Sequence, residues 1–249
     1  MNEFDLLIDL HKHNNRQGPG SPHVTERAIK NTGLKGRKNL KMIDIGCGTG
    51  GQTLILASHL DGIITAVDLF PEFLKILAFR AGEKVLNHRI TTLEASMDNL
   101  PFGNDLFDLI WSEGAIYIMG FENGIRQWLR HLKTGGILAV SDITWITDSR
   151  PKELEQIWEK ECPGIDTASG KIKILEKLGF EIVTHFILPE DSWIEHYYLP
   201  LQNSYKAFLE RQRHSQEAID LVADHKREFD MYMKYKQYYS YGFYIASLR

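Results

Sequence analysis

Met42-Ile43-Asp44-Ile45-Gly46-Cys47-Gly48-Thr49-Gly50-Gly51-Gln52, residues 42–52, runs from an apolar strand into a glycine-rich turn, with an acid two places ahead of the first glycine. Glycine belongs where the backbone turns tightly or lets a ligand approach its N–H groups closely. A turn of this kind between a strand and a helix N-terminus usually serves a nucleotide, because free N–H groups and the helix dipole both favour an anion. The stretch therefore predicts the opening strand, turn and helix of an α/β sheet.

Outward from it the same alternation repeats. Lys41–Ile45 reads as a strand and Gln52–Leu60 as a helix. Ile63–Val67 is a second β-branched run ending at Asp68, and Pro71–Arg80 is helical with Phe73, Leu74, Ile76 and Leu77 as its apolar set. Further strands are expected at Arg89–Leu93, Leu106–Ser112 and Gly135–Ser141, with a helix around Glu122–Leu132. Repeated βα units imply a parallel sheet covered by helices on both faces, joined by right-handed crossovers. Upstream, Phe4–Asn14 is a helix candidate. Ser21 as N-cap and Pro22 at the first helical position start another, with Val24, Ala28 and Ile29 as its apolar stripe and Gly33 as its stop.

Beyond Asp142 the pattern changes. Pro151–Cys162 and Ala168–Leu178 are helical, whereas Glu181–Leu188 and Gly242–Leu248 are strand-like. Between those strands, Pro189–Tyr241 carries long helical patterns of mixed charge and few glycines or prolines to serve as a linker. The expectation is one domain over residues 1–249. It comprises a helical N-terminal lid segment (1–35), a core (36–188 and 242–249) and a helical insertion (189–241), since the final strand must return to the same sheet.

Composition narrows the function classes. With 249 residues, 43% hydrophobic and 25% charged, the chain is an ordinary globular sequence, and its net charge of −4 provides no field to attract nucleic acid or an anionic membrane. Basic and acidic residues alternate from Lys206 to Lys236, so that segment reads as a solvated helix surface, not a nucleic-acid stripe. No run approaches the roughly 18 apolar residues of a membrane span, and the first thirty residues lack a signal-type apolar stretch. Cys47 and Cys162 are the only cysteines, one of them inside the glycine turn, which suggests neither a disulfide framework nor a zinc site. A cytoplasmic protein with no metal, no nucleic-acid partner and no membrane partner is expected; a homodimer is left open.

Gly46, Gly48 and Gly51 satisfy G-x-G-x-x-G, a weak pattern alone. The context strengthens it: Asp68 ends the next strand, 22 residues past Gly46, where a carboxylate accepts ribose hydroxyls. An exposed cap for the helix starting at Pro71 is the competing reading of Asp68. Ile43-Asp44-Ile45-Gly46-Cys47-Gly48-Thr49-Gly50 resembles the first motif of class I S-adenosylmethionine-dependent methyltransferases. Leu100-Pro101-Phe102, Leu106-Phe107-Asp108-Leu109-Ile110 and Leu132-Lys133-Thr134-Gly135-Gly136-Ile137-Leu138 extend the likeness in order. The resemblance implies a Rossmann-like, seven-stranded, mostly parallel sheet with helices on both faces, the last strand antiparallel, plus the helical N-terminal segment and helical insertion roofing a substrate pocket.

It also implies roles, residue by residue. Gly46, Cys47, Gly48 and Gly50 would pass beneath the methionine and ribose of S-adenosyl-L-methionine, with Asp44 helping to hold the ammonium end. Asp68 would take the ribose hydroxyls and Leu69 an adenine face. Ser96, Met97 and Asp98 stand where the family reads the adenine edge, in place of its usual acid and small residue, leaving open which of them does so. Ser112 and Glu113 would face the methionine portion through main-chain atoms, and Arg16, Gln17 and Gly18 would fold over as part of a lid. Methyl transfer from a sulfonium is an in-line displacement, so alignment and exclusion of water dominate, and a base is needed only if the acceptor arrives protonated. The candidates are Glu113, Tyr117, His11 and His13. Glu113 reads equally as a helix cap, and His11-x-His13 reads better as surface helix than as metal ligands. All ten tyrosines but Tyr117 fall between Tyr197 and Tyr244, and they would pack amphipathic helices or, in a few cases, wall a pocket. The acceptor would be a small molecule. An NAD(P)-dependent oxidoreductase shares the glycine pattern and the ribose acid without accounting for Asp44 or the downstream motifs. A non-catalytic S-adenosylmethionine-binding protein is the other alternative.

Overall fold

A computed structural model describes residues 3–249; Met1 and Asn2, the first residues of the expected lid segment, lie outside the described residues. Eight strands form one sheet in the order β3-β2-β1-β4-β5-β8-β7. They are β1 (Leu40–Ile45), β2 (Gly62–Asp68), β3 (Ile90–Glu94), β4 (Phe107–Glu113), β5 (Leu132–Trp145), β6 (Asp166–Thr167), β7 (Phe180–Ile187) and β8 (Tyr239–Leu248). β1 to β5 pair in parallel, β8 runs antiparallel between β5 and β7, and the two-residue β6 adds to the tip of β5. The Rossmann-like sheet with an antiparallel last strand is as expected from the sequence. The eighth strand is the difference: β6 is too short for any periodicity to announce it.

The parallel strands are apolar on both faces because helices cover both. Successive residues go to opposite cores. Met42, Leu109, Ala139 and Phe243 enter one, with α1 (Glu3–His11), α2 (Pro22–Asn31), α3 (Gly51–His59) and α4 (Pro71–Glu83). Ile43, Ile110, Val140 and Tyr244 enter the other, with α5 (Phe121–Trp128) and α7 (Ala168–Lys177). α6 (Lys152–Glu161) follows β5, and α8 (Asp191–Trp193), a π-helical turn (Ile194–Tyr198), α9 (Leu199–Arg211) and α10 (Gln216–Tyr235) occupy the chain between β7 and β8. Trp193 stacks on Tyr232 with centroids 4.6 Å apart, and its indole N–H donates to Ser240 at 2.9 Å, so this helical stretch is bonded to the sheet. Asp9 ties α1 to the same stretch through Arg211 (3.1 Å) and Gln212 (2.9 Å). Among the described residues no helix is long and apolar enough to cross a membrane.

Two strands start three residues earlier than the sequence reading places them, and β5 also runs on to Trp145, four residues past Ser141. β5 begins at Leu132, not Gly135: the chain pairs with Phe107, bulges through Gly135 in the left-handed region (φ +72°), and re-enters opposite Leu109 at Ile137. β8 begins at Tyr239 instead of Gly242, since Trp145 at the far end of β5 supplies a partner that a local pattern does not reveal.

Lys171 and Asp142 form an ion pair with both side chains essentially sealed from water, joining α7 to the middle of β5, and the ammonium also lies 4.4 Å from the Phe121 ring centroid. Removing one partner strands a buried charge. Lys171→Met should lower the unfolding free energy by about 3–5 kcal/mol in urea titrations. The double variant Lys171→Met/Asp142→Leu should recover part of that loss; equal losses would show that the pair carries no special coupling.

Candidate functional site

Sheet order reverses between β1 and β4, whose chains leave toward opposite edges, and ligands of open α/β sheets bind in the crevice that such a reversal opens at the carboxyl ends of the strands. Both loops meet there. A Cβ added to Gly46, at φ +73°, would sit 2.5 Å from Ala115 Cβ, so any side chain would collide with the loop after β4. Gly48, at φ +54°, faces the side chain of Gln17 instead, and its N–H donates to Asp68 Oδ2 at 2.8 Å. The other oxygen of Asp68 accepts from Phe70 N–H at 3.0 Å. Each oxygen keeps a lone pair for a further donor. Burial raises the Asp68 pKa above the ordinary carboxylate value, with the backbone donors opposing it. Leu69 beyond it is 54% exposed.

Asp44 is fully buried behind the loop. Its oxygens accept from Thr53 Oγ1 at 2.6 Å and Gln52 Nε2 at 3.4 Å, and burial pushes its pKa up to about 7. Cys47 is also buried, and desolvation pushes its thiol up, which makes it inert. Ser112 is buried too, with Oγ donating to Ile45 O at 2.8 Å; its side chain braces β4 against β1 instead of facing the crevice. Across the groove, the Met97 methyl lies 3.8 Å from the position a Gly46 Cβ would take, while the Met97 carbonyl accepts from Trp128 Nε1 at 2.8 Å. Ser96 is half-buried and Asp98 exposed.

The N-terminal segment closes over the loop. Gln17 Oε1 accepts from Thr49 N–H at 2.8 Å, Thr49 Oγ1 donates to Asn14 O at 3.0 Å, and Arg80 Nη1 donates to Thr49 Oγ1 at 2.8 Å from the other side. Gly18 is open, with no atom within 4 Å of an added Cβ. Arg16 donates to Glu113 Oε2 at 2.6 Å and to Thr25 Oγ1 at 2.8 Å. Glu113 Oε1 in turn accepts from Thr25 Oγ1 at 2.7 Å and Trp111 Nε1 at 3.0 Å.

Two of the catalytic candidates change character. Glu113 is neither a helix cap nor a free base: its carboxylate is 3% exposed and held by Arg16, Thr25 and Trp111. His11 is not a surface residue, because the inward face of α1 packs on α10. Its Nε2 lies 3.1 Å from His225 Nε2, and burial followed by the neighbouring imidazole pushes its pKa down to about 3. His225 Nδ1 must donate to the Leu221 carbonyl at 2.9 Å, so its Nε2 accepts from His11 and leaves His11 Nδ1 as an unpaired, sealed acceptor. His13 is exposed. Tyr117, in a short turn after β4, is 42% exposed. Tyr241 lies over Gly114, 2.8 Å from where its Cβ would be, at the end of β4. Among the described residues the hydroxyls of Tyr117, Tyr197 and Tyr241 have no hydrogen-bond partner. The ion pair of Arg16 and the contact of Arg80 with Thr49 are not legible in the sequence, because their partners are remote in the chain; Arg16 is reached only as part of the lid segment and Tyr241 only as one of several tyrosines that would wall a pocket.

Comparison with known proteins agrees with this geometry. Residues 42–136 match the family model described as a methyltransferase domain. The chain is 36% identical over 100 residues to 2-methyl-6-phytyl-1,4-hydroquinone methyltransferase 1 of Oryza sativa subsp. japonica, covering 39% of this chain and 29% of that protein. It is 27% identical over 201 residues to erythromycin 3''-O-methyltransferase of Saccharopolyspora erythraea, covering 74% of this chain and 66% of that one. The chain thus spans under two thirds of the length of these relatives. A S-adenosylmethionine-dependent methyltransferase from Geobacter sulfurreducens, solved with S-adenosyl-L-homocysteine, shares the fold with a TM-score of 0.85 at 18% identity over 98% of both chains.

Asp44 yields a pH test. Its folded pKa lies above the unfolded value, so the folded state holds a proton the unfolded state has lost, and the stability this contributes disappears as pH rises through about 7. Urea titrations between about pH 4 and pH 8, a range that runs from the unfolded to beyond the folded value, should show wild-type stability falling with pH more steeply than in Asp44→Asn. Parallel curves would remove Asp44 as the source. Residues 42–136 thus resemble a methyltransferase domain, carried on a mostly parallel sheet whose last strand is antiparallel.

Proposed function

We propose that this protein transfers a methyl group from S-adenosyl-L-methionine to a small-molecule acceptor. The observation that carries the reading is the Gly46–Gly50 loop, pinned to Asp68 and crossing the crevice between β1 and β4. That cradle suits the group: a Cβ at Gly46 would obstruct it, Asp68 keeps free lone pairs, and the exposed Leu69 offers an apolar face. In this reading the main chain of Gly46, Cys47, Gly48 and Gly50 lies beneath the methionine and ribose, and Asp68 takes the ribose hydroxyls. Ser96, Met97 and Asp98 border the adenine edge, and the main chain at Ser112 and Glu113 faces the methionine end. Asp44, enclosed by Thr53 and Gln52, contributes a field from behind the loop instead of a direct contact.

When bound, S-adenosylmethionine would supply a methyl group on a sulfonium: a lone pair of the acceptor bonds to the methyl carbon in line as the C–S bond breaks, and S-adenosylhomocysteine leaves with that electron pair. The chain's own contribution is alignment and dryness. Arg16 and Glu113 latch the segment that includes Gln17 and Gly18 over the crevice, which makes Glu113 a positioning residue. The unpaired hydroxyls of Tyr117 and Tyr241 orient the acceptor's polar group. Neither Glu113 nor His11 is assigned as base, because one is locked in a buried ion pair and the other sealed. A small acceptor agrees with the two relatives, both named for small molecules. The reading includes a cytoplasmic location and no nucleic-acid or membrane partner.

Calorimetric titration tests the donor. S-adenosylmethionine and S-adenosylhomocysteine should bind and NAD(H) should not, and Asp68→Ala should weaken binding at least tenfold, as loss of charged hydrogen bonds worth about 1.5–3 kcal/mol requires. NAD(H) binding without S-adenosylmethionine binding would favour an oxidoreductase. With a metabolite extract as acceptor source, S-adenosylhomocysteine should form above background; binding without turnover would favour a non-catalytic role. Once an acceptor is found, Tyr241→Phe should lower kcat while leaving S-adenosylhomocysteine affinity unchanged.

A further inference from the structure

Outside the crevice, the start of α2 and the start of α8 are held together. Gly20 N–H donates to Ser192 O at 3.1 Å, and Ser192 Oγ lies 3.5 Å from Ser21 Oγ. On the surface above this seam, His23, Asp191 and His196 each offer one ligand atom, all within 4.8 Å of one another. Local geometry explains the gathering. Asp191 and His196 are five residues apart, which on a regular α-helix would leave them about 140° apart around the axis. The π-helical turn Ile194–Tyr198 follows an i→i+5 rhythm that brings them to one side. His23, at the second position of α2, reaches them across the seam, its Nε2 3.8 Å from Asp191 Oδ2.

Two of the three groups, His23 and Asp191, are also held from behind. Ser21 Oγ lies 3.0 Å from His23 Nδ1 and 3.4 Å from its Nε2; with the proton on Nδ1 and donated to Ser21, Nε2 is the nitrogen left to coordinate. Asp191 Oδ1 accepts from Ser192 Oγ at 3.3 Å, which leaves Oδ2 facing the histidine. Ligands whose second atom is held by a neighbour are the usual construction of a metal site. Two imidazoles and one carboxylate suit a transition ion of intermediate softness, whereas calcium and magnesium prefer oxygen donors alone. We infer that His23, Asp191 and His196 bind a divalent ion of the zinc type, which clasps the start of α2 to the start of α8 and so fastens the lid segment to the helices between β7 and β8. Water would complete the coordination on the exposed side.

The test uses the full chain, freed of metal with a chelator and titrated with Zn²⁺ in a calorimeter. One saturable equivalent is expected, with affinity reduced more than tenfold in His196→Ala and in His23→Ala and unchanged in His88→Ala, a distant exposed histidine. Zn²⁺ should raise the thermal midpoint of the wild type and not of the two ligand variants. Co²⁺ should give visible ligand-field bands that the ligand variants lose. Absence of saturable Zn²⁺ binding would overturn the site, as would binding of equal affinity in both ligand variants. Circular dichroism of the variants separates loss of metal from loss of fold.

Discussion

The buried pair between Arg16 and Glu113 is the contact on which the site depends. Two ions taken out of water cost several kcal/mol each unless their partners are in place, so neither side chain is at rest without the other. Arg16 belongs to the N-terminal segment and Glu113 to the end of β4, and Thr25 on α2 bonds to both. The arrangement therefore couples three parts of the chain in one decision. With the pair formed, Asn14 and Gln17 lie across Thr49, and the glycine loop is gripped between them and Arg80. With it broken, a buried guanidinium or carboxylate would be left exposed to an apolar surrounding, and the cover over the loop would lose its anchor.

On the proposed function, the crevice has two differently built walls. The donor wall is local: one strand, one turn, one helix, and an acid at the end of the next strand. The other wall is assembled from distant segments. Tyr117 follows β4, Tyr197 sits in the π-helical turn, Tyr241 is the third residue of β8, and the His11–His225 pair joins the first helix to the tenth. Fixed chemistry suits a constant cofactor, whereas a wall made of remote side chains can be reshaped residue by residue without disturbing the sheet.

That division also explains what the sequence disclosed. The motif at residues 42–52 announces its own strand, turn and helix because glycine at Gly46 and Gly48 answers a local backbone need. The two cores follow from alternation along β1, β4 and β5, which requires no knowledge of partners. By contrast, Glu113 and His11 were legible as acid and base but not as paired and sealed, since Arg16 and His225 approach them through tertiary packing. The strand β6 and the first residues of β8 were hidden for the same reason: Asp166, Thr167 and Tyr239 are extended only because the long tip of β5 gives them somewhere to pair.

The placement of β8 has a consequence for assembly. β8 is the last strand in the chain, yet it lies inside the sheet, with β5 on one side and β7 on the other. During synthesis β5 emerges more than ninety residues before its neighbour, so its outer edge, and all of β7, must wait without a pairing partner. An open apolar edge is a template for pairing with another chain. The nascent chain is therefore vulnerable to aggregation until its final strand arrives, and completion of the sheet becomes a late, concerted event instead of a stepwise one.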